Sequence, residues 1–237
     1  MGSITLPRVR SAGDLRNEDS GLPGPGSSFK PAALSVCERL ASVALLLAVG
    51  PFVAGAGLVL SLLSGRSPLI AHRRVGWQGA TLWMLKLRTM WEGRATGGPR
   101  SGWFASSWIE YVDDPSGPER KHPADRRVTS HFARFCRRHS IDELPQLWHV
   151  LRGQMSLVGP RPVTQSELDR YYGAVAWEIL QVKPGLAGLW QVSGRNRLTY
   201  AERRDLDLQL VRGHSAKLYL QILLRTVPEI WRGSGSW

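Results

Sequence analysis

The chain has 237 residues, with 31 Lys or Arg against 19 Asp or Glu, a formal net charge of +12 and an isoelectric point near 10.6. That balance implies a polyanionic partner: nucleic acid, anionic lipid head groups or a phosphorylated substrate. The two cysteines, Cys37 and Cys136, exclude a CxxC metal site and suggest no disulfide framework, and neither a GxxxxGK[ST] loop nor a strand-linked GxGxxG occurs.

Residues 1–33 are rich in Gly, Pro, Ser and charge and read as a disordered basic tail without a signal peptide. Residues 34–66 form the next unit, built on the uncharged run LASVALLLAVGPFVAGAGLVLSLL. A membrane-crossing helix needs roughly 20 apolar residues, so this unit predicts a membrane-embedded helix. Gly50-Pro51 sits mid-run, and both flanks are basic: Lys30 and Arg39 before it, Arg66, Arg73 and Arg74 after it. A helix that breaks at Gly50 and Pro51 and returns satisfies the positive-inside rule at both ends; a kinked single pass satisfies it at one.

Residues 67–237 form the third unit. SPLIAHRRVGWQGATLWMLKLRTM predicts a β-hairpin turning at Gly76-Trp77-Gln78-Gly79. A strand over 82–88 puts Lys86 and Arg88 on one side, presenting two cations to one place or lining a solvated basic edge. Residues 91–126 read as a long Gly- and Pro-rich loop bearing Trp103, Phe104 and Trp108. Helices are expected over 128–138, with Phe132, Phe135 and Cys136 on one side, and over 164–181, 201–211 and 215–227. The last has a broad apolar surface suited to the core or to a membrane interface. The 6 histidines form no HxH or HExxH pattern and read as surface or packing residues.

The stretch SIDELPQLWHVLRGQMSLVGPRP, residues 140–162 with its final proline, sets Asp142 beside Glu143. One reading is structural: Ser140 and Glu143 match a capping box, Pro145 suits a first helical turn, and Arg152-Gly153 ends the helix. The other is chemical. Adjacent helical residues diverge by about 100°, so one acid can cap or hold a metal while the other faces a substrate. Arg161, between Pro160 and Pro162, sits on a stiff backbone suited to bidentate phosphate recognition. With Lys86, Arg88, Arg137 and Arg195 it can hold a diphosphate. An ionised aspartate can attack phosphorus, and a second carboxylate can hold Mg²⁺ against phosphate oxygens.

KLRTM (86–90), RRHSIDELPQLWHVLRGQMSLVGPRP (137–162), KPGLAGLWQVSGRN (183–196) and LDL (206–208) resemble the bacterial sugar transferase family, the monotopic polyprenol-phosphate phosphoglycosyl transferases. The resemblance implies that Asp142 is the nucleophile and Glu143 the Mg²⁺-binding partner. Lys86, Arg137 and Arg161 match phosphate-binding positions, and Arg195 falls in the GRN motif. It further implies a UDP-sugar donor (glucose or galactose), undecaprenyl phosphate as acceptor, and a re-entrant helix broken at proline. The setting would be the bacterial inner membrane, with the catalytic domain facing the cytoplasm and supplying downstream glycosyltransferases in exopolysaccharide assembly. Three departures stand out: Cys37-Glu38-Arg39 replaces a Lys-Arg…Asp pattern, Gly50-Pro51 replaces Ser-Pro, and Gln154 replaces an acid.

The expected fold is α+β and mainly helical: the membrane-embedded helix, then a small cytosolic catalytic domain with a β-hairpin and interfacial amphipathic helices. The competing reading is a non-enzymatic, membrane-anchored basic module that binds acidic lipid or polymer. No nucleic-acid partner is expected, because the cations are dispersed and no docking motif is apparent.

Overall fold

The computed structural model describes residues 32–91, 108–113, 127–128, 130–213 and 215–233; of the tail expected over 1–33, residues 1–31 lie outside them, as do Trp103 and Phe104, while Ala32 and Ala33 are helical. The uncharged run forms one helix, α1 (Ala32–Ser64), long and apolar enough to cross a membrane. The expected break at Gly50-Pro51 does not interrupt it, and Pro51 lies inside continuous helix. Proline removes one backbone donor, but the turns on either side keep their own bonds, so an apolar helix can carry it.

Both ends of α1 are seated on the globular body. Toward the N-terminus, the Glu38 carboxylate is buried and accepts hydrogen bonds from the Tyr219 hydroxyl (2.7 Å), the Leu157 N–H (3.1 Å) and the Ser156 hydroxyl. Toward the C-terminus, Ala56 and Leu60 pack among Leu87, Trp91, Ala133, Cys136 and Ile141. Between and around these seats Leu40, Leu45, Leu47 and Phe52 are exposed, leaving an apolar outer face.

The hairpin forms as its sequence dictates. β1 (Leu69–Val75) runs antiparallel to β2 (Thr81–Leu87), with Leu69 opposite Leu87 and Val75 opposite Thr81. The turn needs left-handed backbone at Gln78 (φ 54°) and Gly79 (φ 78°). A third strand, β3 (Ile109–Val112), pairs parallel to β1 and gives the order β2-β1-β3. It falls in the stretch expected to be loop. Four residues are too few for alternation to declare a strand, and the pairing depends on a partner distant in sequence.

α2 (His131–Arg138) starts at Ser130, whose hydroxyl accepts the Ala133 N–H. Its buried side carries Ala133 and Cys136, whereas Phe135 turns outward, its ring tilted by 51° against that of His139. A 3₁₀ turn (Ile141–Gln146) leads into α3 (Leu147–Leu151), which ends at Gly153 with φ 72°. Next, β4 (Ser156–Val158) pairs parallel with β5 (Gly185–Ala187).

The expected helix over 164–181 divides into α4 (Gln165–Glu167), a π turn (Leu168–Tyr172), a 3₁₀ turn (Gly173–Val175) and α5 (Ala176–Leu180). Gly173, at φ 47°, turns the backbone where Leu168, Tyr172 and Ile179 all enter one apolar cluster. α6 (Leu189–Val192), α7 (Tyr200–Arg212) and α8 (Ala216–Arg232) complete the body. α8 runs beyond the expected 227, and Leu220, Leu224, Val227 and Trp231 form an exposed apolar stripe along it.

The seat of Glu38 has a measurable consequence. Glu38→Ala leaves buried donors without an acceptor and should cost about 2–3 kcal/mol, whereas Glu38→Gln keeps one acceptor and should cost less. Unfolding midpoints of detergent-solubilised protein measure the difference; equal midpoints for Glu38→Ala and the parent would refute it.

Candidate active site

The two acids occupy the 3₁₀ turn that follows α2, and that turn separates them. Successive 3₁₀ residues diverge by about 120°. Asp142 points inward and is 6% exposed, while Glu143 is partly exposed and its Oε1 meets Lys86 Nζ at 2.7 Å. Burial, and then the neighbouring Asp142 charge, pushes the Cys136 thiol up to about 11. Cys136 is therefore a packed, protonated thiol at neutral pH and no rival nucleophile.

The capping box expected from Ser140 and Glu143 is not formed. Ser140 adopts φ 55°, and its hydroxyl makes no cap to the turn. An N-cap residue requires extended backbone, which the abrupt passage from α2 into the 3₁₀ turn denies to Ser140. Glu143 is drawn instead to Lys86. Capping boxes do form elsewhere, at Thr164 with Glu167 and Thr199 with Glu202.

Freed from capping, the Ser140 hydroxyl lies 3.5 Å from a guanidinium nitrogen of Arg195. Arg195 is itself left-handed at φ 49°, so two strained non-glycine residues meet beside the dyad. Arg137, largely buried at the end of α2, contributes its carbonyl to the Ser140 N–H at 3.2 Å. Lys86 and Arg195 thus bring side chains to the turn that carries Asp142 and Glu143, and Arg137 joins it through its carbonyl.

Arg88 does not join them. Its Nε donates to the Ser67 carbonyl (2.8 Å) and its terminal nitrogen to Glu110 (2.6 Å) on β3. The shared face expected for Lys86 and Arg88 therefore serves two carboxylates, Glu143 and Glu110. β3 was not anticipated, and so neither was the partner that draws Arg88 away.

Arg161 is placed by backbone crowding. A Cβ on Gly159 would lie 2.4 Å from the Lys183 carbonyl, and one on Gly185 would lie 2.0 Å from the Gly159 nitrogen. Only glycine at both positions lets β4 and β5 approach this closely. The Gly185 N–H then donates to the Pro160 carbonyl (2.9 Å) and the Arg161 N–H to Asp207 Oδ1 (3.4 Å). The Arg161 guanidinium sits over the Trp190 ring, 5.1 Å from its centroid, and Arg203 sits over the same ring at 5.1 Å.

Reading the sequence alone missed several residues that build this region. Asp207, fully buried, also accepts the Tyr172 hydroxyl at 3.0 Å; the LDL motif was legible, but a buried carboxylate in it was not. His149, read as a packing residue, is buried and accepts the Leu85 N–H at Nε2 (3.2 Å), with Nδ1 2.9 Å from Gln154 Oε1. It thereby ties α3 to β2 next to Lys86. Burial holds its pKa below the usual imidazole value, which keeps the ring neutral and able to accept.

Among the described residues, no group of three or more His, Cys, Asp or Glu side chains is arranged to hold a metal ion. Mg²⁺ commonly takes one or two carboxylates and completes its shell with phosphate oxygens and water, so a single accessible Glu143 beside Lys86 fits that chemistry.

Burial pushes the Asp207 carboxyl up to about 7, although the Tyr172 hydroxyl, the Arg161 N–H and the charges of Arg161 and Arg203 pull the other way. The folded state then holds a proton that the unfolded chain releases near the ordinary value of about 3.9. Stability from this group is complete below about pH 4 and is lost as pH rises through about 7. Denaturant midpoints should fall between pH 5 and pH 8, and Asp207→Asn should flatten that fall; an unchanged slope would contradict the assignment.

Residues 30–233 match the family described as bacterial sugar transferase. The chain is 39% identical over 227 residues to the exopolysaccharide production protein ExoY of Rhizobium meliloti, covering 93% of each. It is 35% identical over 218 residues to the UDP-glucose:undecaprenyl-phosphate glucose-1-phosphate transferase of Caulobacter vibrioides, covering 87% of this chain and 74% of that one. It is 45% identical over 113 residues to the undecaprenyl-phosphate galactose phosphotransferase of Salmonella typhimurium, covering 48% of this chain and 23% of that one. Dyad, arginine loop and apolar helix all lie within the matched span, and the chain belongs to the bacterial sugar transferase family of phosphoglycosyl transferases.

Proposed function

We propose that this enzyme transfers a sugar-1-phosphate from a UDP-sugar, with glucose or galactose as the sugar, to undecaprenyl phosphate, as the first membrane step of exopolysaccharide assembly. The observation that carries the reading is the separation of the dyad: Asp142 is buried and Glu143 is turned to Lys86. In the first half-reaction an Asp142 carboxylate oxygen attacks the sugar-linked phosphorus. The phosphoanhydride bond breaks, and UMP leaves with the electron pair. In the second, an oxygen of the lipid phosphate attacks the same phosphorus. The acyl-phosphate bond breaks, and the Asp142 carboxylate is regenerated.

Lys86, Arg137 and Arg195 are the cations next to this chemistry, and Arg161 holds a phosphate from the β4–β5 side. Mg²⁺ bound by Glu143 and substrate oxygens would neutralise charge on the diphosphate. Arg88, engaged by Glu110, has a structural role in this scheme. Family membership replaces the non-enzymatic basic module as an account of the charge.

The seating of both ends of α1 on one body favours the re-entrant reading. A straight span would carry one end of α1 across the bilayer, away from the residues that hold it. On this reading the body faces the cytoplasm of a bacterial inner membrane, and α8 lays its apolar stripe on the lipid surface.

Purified protein with Mg²⁺ and a panel of UDP-sugars should release UMP with one preferred sugar. Asp142→Asn should lower that release by about 10³-fold or more; normal turnover in that variant would refute the nucleophile. For the topology, single cysteines placed before Leu40 and after Leu63 should both react with a cytoplasmic label. Labelling from opposite sides would refute the re-entrant helix and leave the chemistry standing.

A further inference from the structure

Arg161 and Arg203 share one aromatic platform, and among the described residues neither guanidinium is paired with an acid. Both guanidinium carbons lie 5.1 Å from the Trp190 centroid, and Arg203 also lies 5.2 Å from that of Tyr200, which stacks on Tyr171 at 4.4 Å. No carboxylate among the described residues pairs with either guanidinium. The Nε of each, together with Trp190 Nε1, is shielded from solvent and has no hydrogen-bond partner. Like-charge proximity is unfavourable: burial, and then Arg161, lowers the pKa of Arg203. Two cations are held together with unused donors between them, at a cost that an absent anion would repay.

The local acids do not supply that anion. Asp207 spends Oδ1 on the Arg161 N–H and Oδ2 on the Tyr172 hydroxyl, and its carboxyl is pushed up to about 7, so it offers only part of a charge at neutral pH. Glu167 acts on Arg203 only from a distance: its carboxylate accepts the Thr164 N–H at 2.8 Å and contacts neither guanidinium. The remaining demand is for nearly two negative charges with several acceptor oxygens. A phosphomonoester carries about −1.5 to −2 at pH 7 and three such oxygens. Each phosphate of a diphosphate diester carries only one charge.

We propose that Arg161, Arg203 and Trp190 form a binding site for a phosphomonoester dianion, which makes Arg203 a substrate-binding residue. The site deepens the proposed function and rests on it for Arg161. In that reaction phosphomonoesters come from two sources: the polyprenyl phosphate acceptor and the nucleoside monophosphate product. Trp190 fixes the planes of both guanidiniums, so the forks are arranged before the ligand arrives.

The test is direct binding to full-length Asp142→Asn protein in detergent, where turnover is suppressed. UMP and a short-chain polyprenyl phosphate are titrated separately, with tryptophan fluorescence and calorimetry as readouts. Adding Arg203→Ala should weaken at least one ligand roughly 10- to 100-fold, as expected for losing a charge-assisted pair. Arg203→Lys, which keeps the charge but not the fork, should fall between. Selective loss of UMP binding assigns the site to the product, and selective loss of the lipid phosphate assigns it to the acceptor. Unchanged affinity for both ligands in either variant, with an unchanged unfolding midpoint, overturns the proposal. UMP release by the parent enzyme is measured in parallel. Absent release with Arg203-dependent binding sinks the transferase reading alone; normal release with Arg203-independent binding sinks the phosphomonoester site alone.

Discussion

A buried carboxylate on an apolar helix is tolerable only where donors await it, and the seat of Glu38 meets that condition. Removing a charge from water is costly unless hydrogen bonds replace the lost hydration. The hydroxyls of Tyr219 and Ser156 and the Leu157 N–H do so, from α8 and β4. β4 in turn leads directly through Gly159 and Pro160 to Arg161, and α8 packs in the cluster that also holds Leu189 of α6, next to Trp190. The register of α1 against β4 and α8 is therefore also the register of the apolar helix against the arginine loop.

The excess positive charge is divided among distinct electrostatic tasks. Arg88 is neutralised by Glu110 inside the sheet, and Arg212 by Glu178 on the surface, where its worth is small. Lys86 is paired with Glu143 at the dyad. Only at Arg161 and Arg203, among these cations, is charge concentrated over an aromatic ring without a pairing acid. A formal charge of +12 is thus a poor guide to function; which arginines lack an acid is a better one.

The hairpin was legible because its turn residues and alternation act within a few positions of one another. Helices α7 and α8 were legible for the same reason, with periodicity carrying the signal. The capping box failed because S-x-x-E records only composition, whereas capping needs extended backbone at Ser140, and α2 ends too close to permit it. β3 and the π turn at Leu168–Tyr172 were not legible, since each exists to satisfy a distant partner: β1 in one case, Asp207 in the other. In the site, the dyad and the prolines around Arg161 could be read from short motifs. Arg203 and Tyr172 could not, and the motifs holding Trp190 and Asp207 did not disclose their roles, because the four converge from separate elements and none looks unusual alone.

The hydrogen bond from Tyr219 to Glu38 joins positions 181 residues apart. α1 is the first of these elements to leave the ribosome, and α8 is the last. Throughout synthesis the first helix carries a carboxylate whose final partner does not yet exist. It cannot settle against the body until α8 has been made, because so distant a contact carries its closure entropy with it. The making of α1 and its docking are therefore separate events in time, and the body is complete only once α8 has joined it.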